Sequence, residues 1–172
     1  MQPPTPPQWS LLRRAFQIGM VAGLRSQTPL PLVGNALRQA DGGERRPAPL
    51  AFLMRPAVTT GLALSAVGEM VGDKLPAVPN RLSPLPLGGR LVFGALAAAA
   101  LALAANHPRG PAALAGGLGA GVGSVAGTRY RAALPALTGL PDLPWALVED
   151  AAAVVLGLNA ARGIERRAGP TA

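Results

Sequence analysis

Six ionisable residues stand where an apolar chain tolerates charge least: Arg25, Glu69, Asp73, Arg129, Glu149 and Asp150 interrupt or end long runs of Ala, Gly, Leu and Val. Charged side chains at membrane depth are costly, and they face bundle interiors or water-filled cavities that carry ions or protons. The chemistry these types support is electrostatic. Arginines can balance or gate acids, and Glu69 or Glu149 is a candidate proton carrier or cation ligand; Thr28 adds a hydroxyl beside Arg25. Glu69 and Asp73 lie four apart and share a helix face. Glu149 and Asp150 are adjacent, so on a helix they point about 100° apart, and one of them needs a second partner. No nucleophile, base and orienter stand at recognisable spacing, so no enzyme is expected and no catalytic residue is assigned.

The elements that must position these charges share a phrase. Gly19-Met-Val-Ala-Gly-Leu-Arg25 runs on to Leu30-Pro31, and Gly123-Ser-Val-Ala-Gly-Thr-Arg129 runs on to Leu134-Pro135, with Gly, Val, Ala, Gly, Arg, Leu and Pro recurring at identical spacing. The repetition reads as an internal duplication. Glycines four apart let a neighbouring backbone approach closely, so Gly19, Gly23, Gly119, Gly123 and Gly127 are expected to pack helices as a glycine zipper. An arginine then follows on the next turn, and a proline removes a backbone donor and breaks the helix. Pro29 and Pro31 cannot donate to the carbonyls of Arg25 and Gln27, which leaves those acceptors in need of other partners.

Five apolar segments carry the pattern: Trp9 to Leu37, Pro56 to about Leu75, Leu87 to about Ala105, Gly110 to Thr128, and Trp145 to about Arg162. Counted from Ala15, Arg25 falls near half the hydrocarbon thickness. Gly68 and Gly72 are expected to open a face of the second segment to close helix contact. The loop from Arg38 to Pro49 and the turn from Leu134 to Pro144 read as exposed connections. If residues 15–76 form one repeat, 87–105 a linker helix and 111–162 the other repeat, the single linker crossing inverts the second repeat.

Composition narrows the class further. Of 172 residues 49% are hydrophobic and only 14% charged, well below the charge of soluble domains. The net charge of +8 is dispersed among apolar segments and not interleaved with stacking aromatics, so no nucleic acid is expected as a partner. Pairs such as Arg45-Arg46 and Arg166-Arg167 suit anionic lipid headgroups. Trp9, Tyr130 and Trp145 suit the membrane interface. Gly121-Val-Gly-Ser-Val-Ala126 matches a dinucleotide fingerprint, but the Ala/Gly-rich residues before it are poor strand material. There is no cysteine, and His107 stands alone in a turn, so neither disulfide nor metal site is expected. Residues 1–8 read as a disordered Pro-rich lead-in and residues 9–165 as a single transmembrane domain.

The phrases Val21-Ala-Gly-Leu-Arg-Ser-Gln-Thr-Pro-Leu30, Gly68-Glu-Met-Val-Gly-Asp-Lys-Leu-Pro76 with Pro79 and Arg81, Gly89-Arg90, and Leu140-Pro-Asp-Leu-Pro-Trp-Ala-Leu-Val-Glu-Asp-Ala151 resemble a family of small bacterial integral membrane proteins classed as a domain of unknown function. The resemblance covers about Ala15 to Arg162 and implies membrane location without an activity. The expectation is therefore an all-α polytopic membrane helix bundle of about five spans with an inverted-topology internal repeat and Pro-broken helices, multi-pass in the inner (cytoplasmic) membrane. The function expected is a small transporter or channel-like protein with a charged site between the two inverted repeats, with a non-transporting membrane scaffold or lipid-binding accessory subunit as the alternative. Its partners would be the lipid bilayer, a small solute or ion, and further copies in a homo-oligomer; no cofactor is expected.

Overall fold

The computed structural model describes residues 8–40, 46–72, 81–162 and 164, and among these the chain forms helices with no strand. They are α1 Gln8–Leu24, α2 Pro29–Gln39, α3 Ala48–Leu53, α4 Pro56–Gly72, α5 Pro84–Ala104, α6 Arg109–Thr138 and α7 Asp142–Ala161. Helix α1 already includes Gln8; residues 1–7, the rest of the expected lead-in, lie outside the described residues, as do Arg45, Asp73, Arg166 and Arg167.

Proline and glycine set most of the ends. Pro29 and Pro31, Pro84 and Pro86 stand in the first turns of α2 and α5, where a missing N–H removes no helical bond. Gly139 closes α6 at φ 70°, a left-handed cap that glycine adopts without strain. Pro135 lies inside α6, and the Gly139 N–H donates to its carbonyl at 2.9 Å. The second copy of the repeated phrase is therefore not broken, contrary to expectation, because its proline falls in the last turn of a helix that ends at Gly139. The first two residues of α3 and residues 134–138 of α6 fall in stretches that read as loop or turn in the sequence.

Contacts give the helix directions. Gly19 meets Gly116, and Gly23 meets Ala120 and Ser124, so α1 and α6 run parallel. Helix α5 opposes both, with Ala98 at Gly116 and Leu91 at Gly121. Arg14 at Ala160 and Arg25 at Asp150 make α7 antiparallel to α1. Helix α2 turns back beside α7, with Leu32 against Gly157, and α4 returns past it, with Thr59 near Gly34 and Glu69 at Ser26. An axis in the membrane plane would make α1 and α6 antiparallel, so the inverted-repeat expectation is corrected. The cause is local: the segment from Trp9 to Leu37 is not one helix but two opposed ones, and the extra reversal brings α6 out parallel to α1.

The bundle is small inside and large outside. Ala15, Ala22, Ala97, Ala98, Ala120, Ala146 and Ala153 are fully buried. Leu64, Val67, Leu96, Leu114, Leu118, Leu147 and Val155 are exposed. The larger buried side chains, Leu11, Leu37, Leu50 and Leu101, gather at the end where α1 begins. Small residues let α1, α5 and α6 approach to backbone contact, which dispersion rather than water exclusion can stabilise. Helices α5 and α7 are long and apolar enough to cross a membrane, and only 33% and 28% of their apolar windows are buried, so both present most of that surface outward.

Glycines without neighbours offer a contrast. Among the described residues a methyl at Gly61, Gly68 or Gly72 of α4 would meet nothing within 4 Å, so the close contact expected at Gly68 and Gly72 is not found among them. Gly61→Ala should then raise thermal stability by about 0.5–1 kcal/mol through helix propensity alone. A drop in the melting temperature of the purified protein would show that α4 packs more tightly there than these distances allow.

Candidate functional site

The site is built at the end of α1, where the backbone ladder stops and side chains take it over. Arg25 N–H still donates to Val21 O at 2.7 Å, but the next two amides leave the helix. Ser26 N–H donates to Glu69 Oε1 at 2.9 Å and Gln27 N–H to Glu69 Oε2 at 2.8 Å. Ser26 Oγ–H adds a bond to Oε1 at 2.8 Å. The Gly23 and Leu24 carbonyls, which in a continued helix would take the Gln27 and Thr28 amides, find a cation: Arg90 Nη1 donates to Gly23 O at 2.7 Å and to Leu24 O at 3.3 Å. Arg90 Nη2 also lies 3.5 Å from Glu69 Oε1. The carbonyl of Arg25 is not free, since Thr28 N–H donates to it at 3.2 Å. A buried backbone group without a partner costs about as much as a lost hydrogen bond, and where the α1 ladder ends Glu69 supplies partners for the Ser26 and Gln27 amides and Arg90 for the Gly23 and Leu24 carbonyls.

Around the bend lies an ion-pair cluster. Arg25 is fully buried; its Nε pairs with Asp150 Oδ1, and its Nη2 lies 3.5 Å from Glu149 Oε2. Glu149, itself buried, also accepts from Arg81 Nη1 at 2.5 Å and Nη2 at 3.2 Å, and from Arg131 Nη1 at 3.3 Å. Arg131 closes the rim through a two-point pair with Asp142, its Nε donating to Oδ1 at 2.6 Å and its Nη2 to Oδ2. Arg25, Arg81, Arg90 and Arg131 thus face Glu69, Asp142, Glu149 and Asp150, a balanced set in which each charge offsets the desolvation of another. Gly127 makes room for it: a methyl there would meet Glu149 Oε1 at 2.7 Å and Arg81 Nη1 at 3.1 Å.

Its depth follows from helix rise. Arg90 lies six residues into α5 and Glu149 seven into α7, so the cluster sits about 9–10 Å from the ends of those helices. Arg25 stands just past the end of α1, which starts at Gln8 and stops at Leu24, rather than within a helix that continues to Leu37.

Of the residues singled out from sequence, Arg25, Glu149 and Asp150 come together, and Glu69 stands at the same bend on Ser26, Gln27 and Arg90. Thr28 is buried beside them, its Oγ1 without a hydrogen-bond partner. Arg129 is exposed on α6, and the guanidinium that α6 contributes is that of Arg131 two residues on. Asp73 lies outside the described residues. Sequence reasoning missed Arg81, Arg90, Arg131 and Asp142 because they border apolar runs and read as interfacial. The available signal for Arg81 and Arg90 was their place inside the quoted family phrases. Trp9 is exposed at the start of α1, whereas Tyr130 and Trp145 pack edge to face at 6.3 Å between α6 and α7.

A family model described as "Domain of unknown function (DUF4126)" matches residues 13–162. No curated protein matches. No solved structure matches either.

Proposed function

From the premise that the chain belongs to the DUF4126 family, whose description carries no activity, we propose that it is a small multi-pass protein of the inner membrane in the transporter or channel-like class, with its polar site at the α1–α2 bend. The observation that carries this reading is a buried guanidinium, Arg25 at 0% exposure, held by two carboxylates at a helix break inside a bundle that exposes many Leu and Val side chains. Apolar patches on that scale mark lipid or partner contact, and ionisable groups within such bundles line substrate or ion paths. Broken helices are how polar sites are made where lipid offers no hydrogen bonds. The partners of this reading are the bilayer and a small solute or ion, with self-association a matter for the same preparation.

One observation favours the alternative of a non-transporting scaffold: both oxygens of Glu149 are engaged by guanidiniums from three segments, as a lock on helix register would require. Reconstitution separates the two. Proton and ion flux into liposomes should be measurable for the wild type and should fall about tenfold or more, a barrier rise of roughly 1.4 kcal/mol, in Glu69→Gln and Glu149→Gln. An inactive wild type whose variants lose only thermal stability would replace transport with the scaffold reading.

A further inference from the structure

We propose that the α1–α2 bend is a carboxylate-binding site which Glu69 fills as a tethered stand-in, and that a free organic carboxylate takes its place. The proposal deepens the transport reading by naming the class of solute, and it rests on that reading only for the step of moving the ligand.

Chemistry sets the ligand class. Oε1 takes Ser26 N–H, Ser26 Oγ–H and the Arg90 guanidinium, while Oε2 takes Gln27 N–H, so the cradle recognises two oxygens and not one point charge. Those amides precede α2, whose N-terminal end carries partial positive charge. A second observation points to a ligand other than Glu69. Thr28 is 4% exposed, forms no side-chain cap on α2, and leaves Oγ1 without a hydrogen-bond partner. A buried hydroxyl left unpaired costs roughly 1–3 kcal/mol, so a donor kept at this bend without a partner is a place for a ligand atom.

The stand-in can also leave. Glu69 comes from α4, whose buried residues are Thr59 and Ala66 and whose glycines at 68 and 72, on either side of Glu69, leave room for a methyl among the described residues. Helix α4 packs mainly on α2 and α3, away from the tight α1–α5–α6 contact. The Glu69 carboxylate itself is bound by Ser26, Gln27 and Arg90, the bonds a ligand would replace. Departure alone would strand two amides, and a ligand carboxylate removes that penalty. The Glu69 side chain is 13% exposed, so the cradle is reachable without unfolding the bundle.

A tethered competitor raises the apparent dissociation constant of a free ligand by the inverse of the fraction of time the cradle is vacant. The test uses the purified full chain in detergent, with sodium acetate as probe, sodium chloride at matched ionic strength as control, and melting temperature as readout. In Glu69→Ala, acetate should stabilise saturably, with an apparent Kd about tenfold or more below that of the wild type, and Glu69→Gln should fall between. Adding Ser26→Ala to Glu69→Ala should weaken acetate again. If Glu69→Ala does not fold, the comparison of Glu69→Gln with wild type decides in the same way. Equal acetate response in wild type and variants, no saturable response, or chloride acting as well as acetate overturns the site. Acetate binding without acetate uptake in vesicles sinks transport and leaves the site standing; uptake without saturable binding in the variants removes the site alone.

Discussion

Gly123→Leu should force α1 and α6 apart and destabilise the protein by more than the roughly 1–3 kcal/mol of ordinary overpacking. The reason is what the new side chain would strike. A Cβ at Gly123 runs into the carbonyl of Met20, and at Gly119 into that of Phe16; Gly19 and Gly23 meet backbone of α6 in return. Main chain cannot rotate away as a side chain can, so the helices themselves must move. The same shift would pull Gly23 from Ser124 and Arg90, disturbing the bend as well as the contact. Melting temperature and elution profile in detergent would measure it, with Gly61→Ala as the opposite-sign control. An unaltered Gly123→Leu protein would place this face of α6 in open surroundings.

Arg25→Met should be the second severe change. It removes a guanidinium from Asp150 and one of three from Glu149, at a position with no exposure to water. Truncating one member of a buried ion pair typically costs about 3–5 kcal/mol, because the surviving charge stays desolvated without compensation. Glu149 keeps Arg81 and Arg131, so the pairing lost outright is that of Arg25 with Asp150. The double variant Arg25→Met, Asp150→Asn should therefore recover part of the stability lost by Arg25→Met alone, a coupling that a double-mutant cycle reads directly. Arg129→Gln, on the exposed face of α6, should stay within about 0.5 kcal/mol of wild type. Equal effects at Arg25 and Arg129 would mean that charge at large, and not this pairing, matters.

Several readings were available from residue types alone. An all-helical chain followed from long Ala, Gly and Leu runs punctuated by proline, and Arg25, Glu69, Glu149 and Asp150 stood out because charge is scarce in such runs. The break after Arg25 was legible too, since Pro29 and Pro31 cannot continue a ladder. What it does to the chain was not. Proline says that a helix stops; whether the next one continues or turns back depends on what packs against it, here α7 through Leu32 and Gly157.

Covalent geometry and composition are local, so the sequence by itself determined where donors are missing, where a second backbone could come close, and which side chains would need partners when buried. Partner choice is not local. Arg25 finds Glu149 and Asp150 more than 120 residues away because α7 runs antiparallel to α1, and Glu69 caps Ser26 and Gln27 because α4 returns to the same end. The matching phrases at Gly19 and Gly123 end differently, one in a bend and one in an unbroken helix, since Pro29 and Pro31 open a new helix while Pro135 sits in the last turn before Gly139. Which arginine on α6 reaches the acids was settled by helix rotation, which turns Arg131 inward and Arg129 outward. Only the tertiary structure could decide these, because long-range electrostatic pairing depends on the direction and rotation of packed helices, and neither quantity is written in any one stretch of chain.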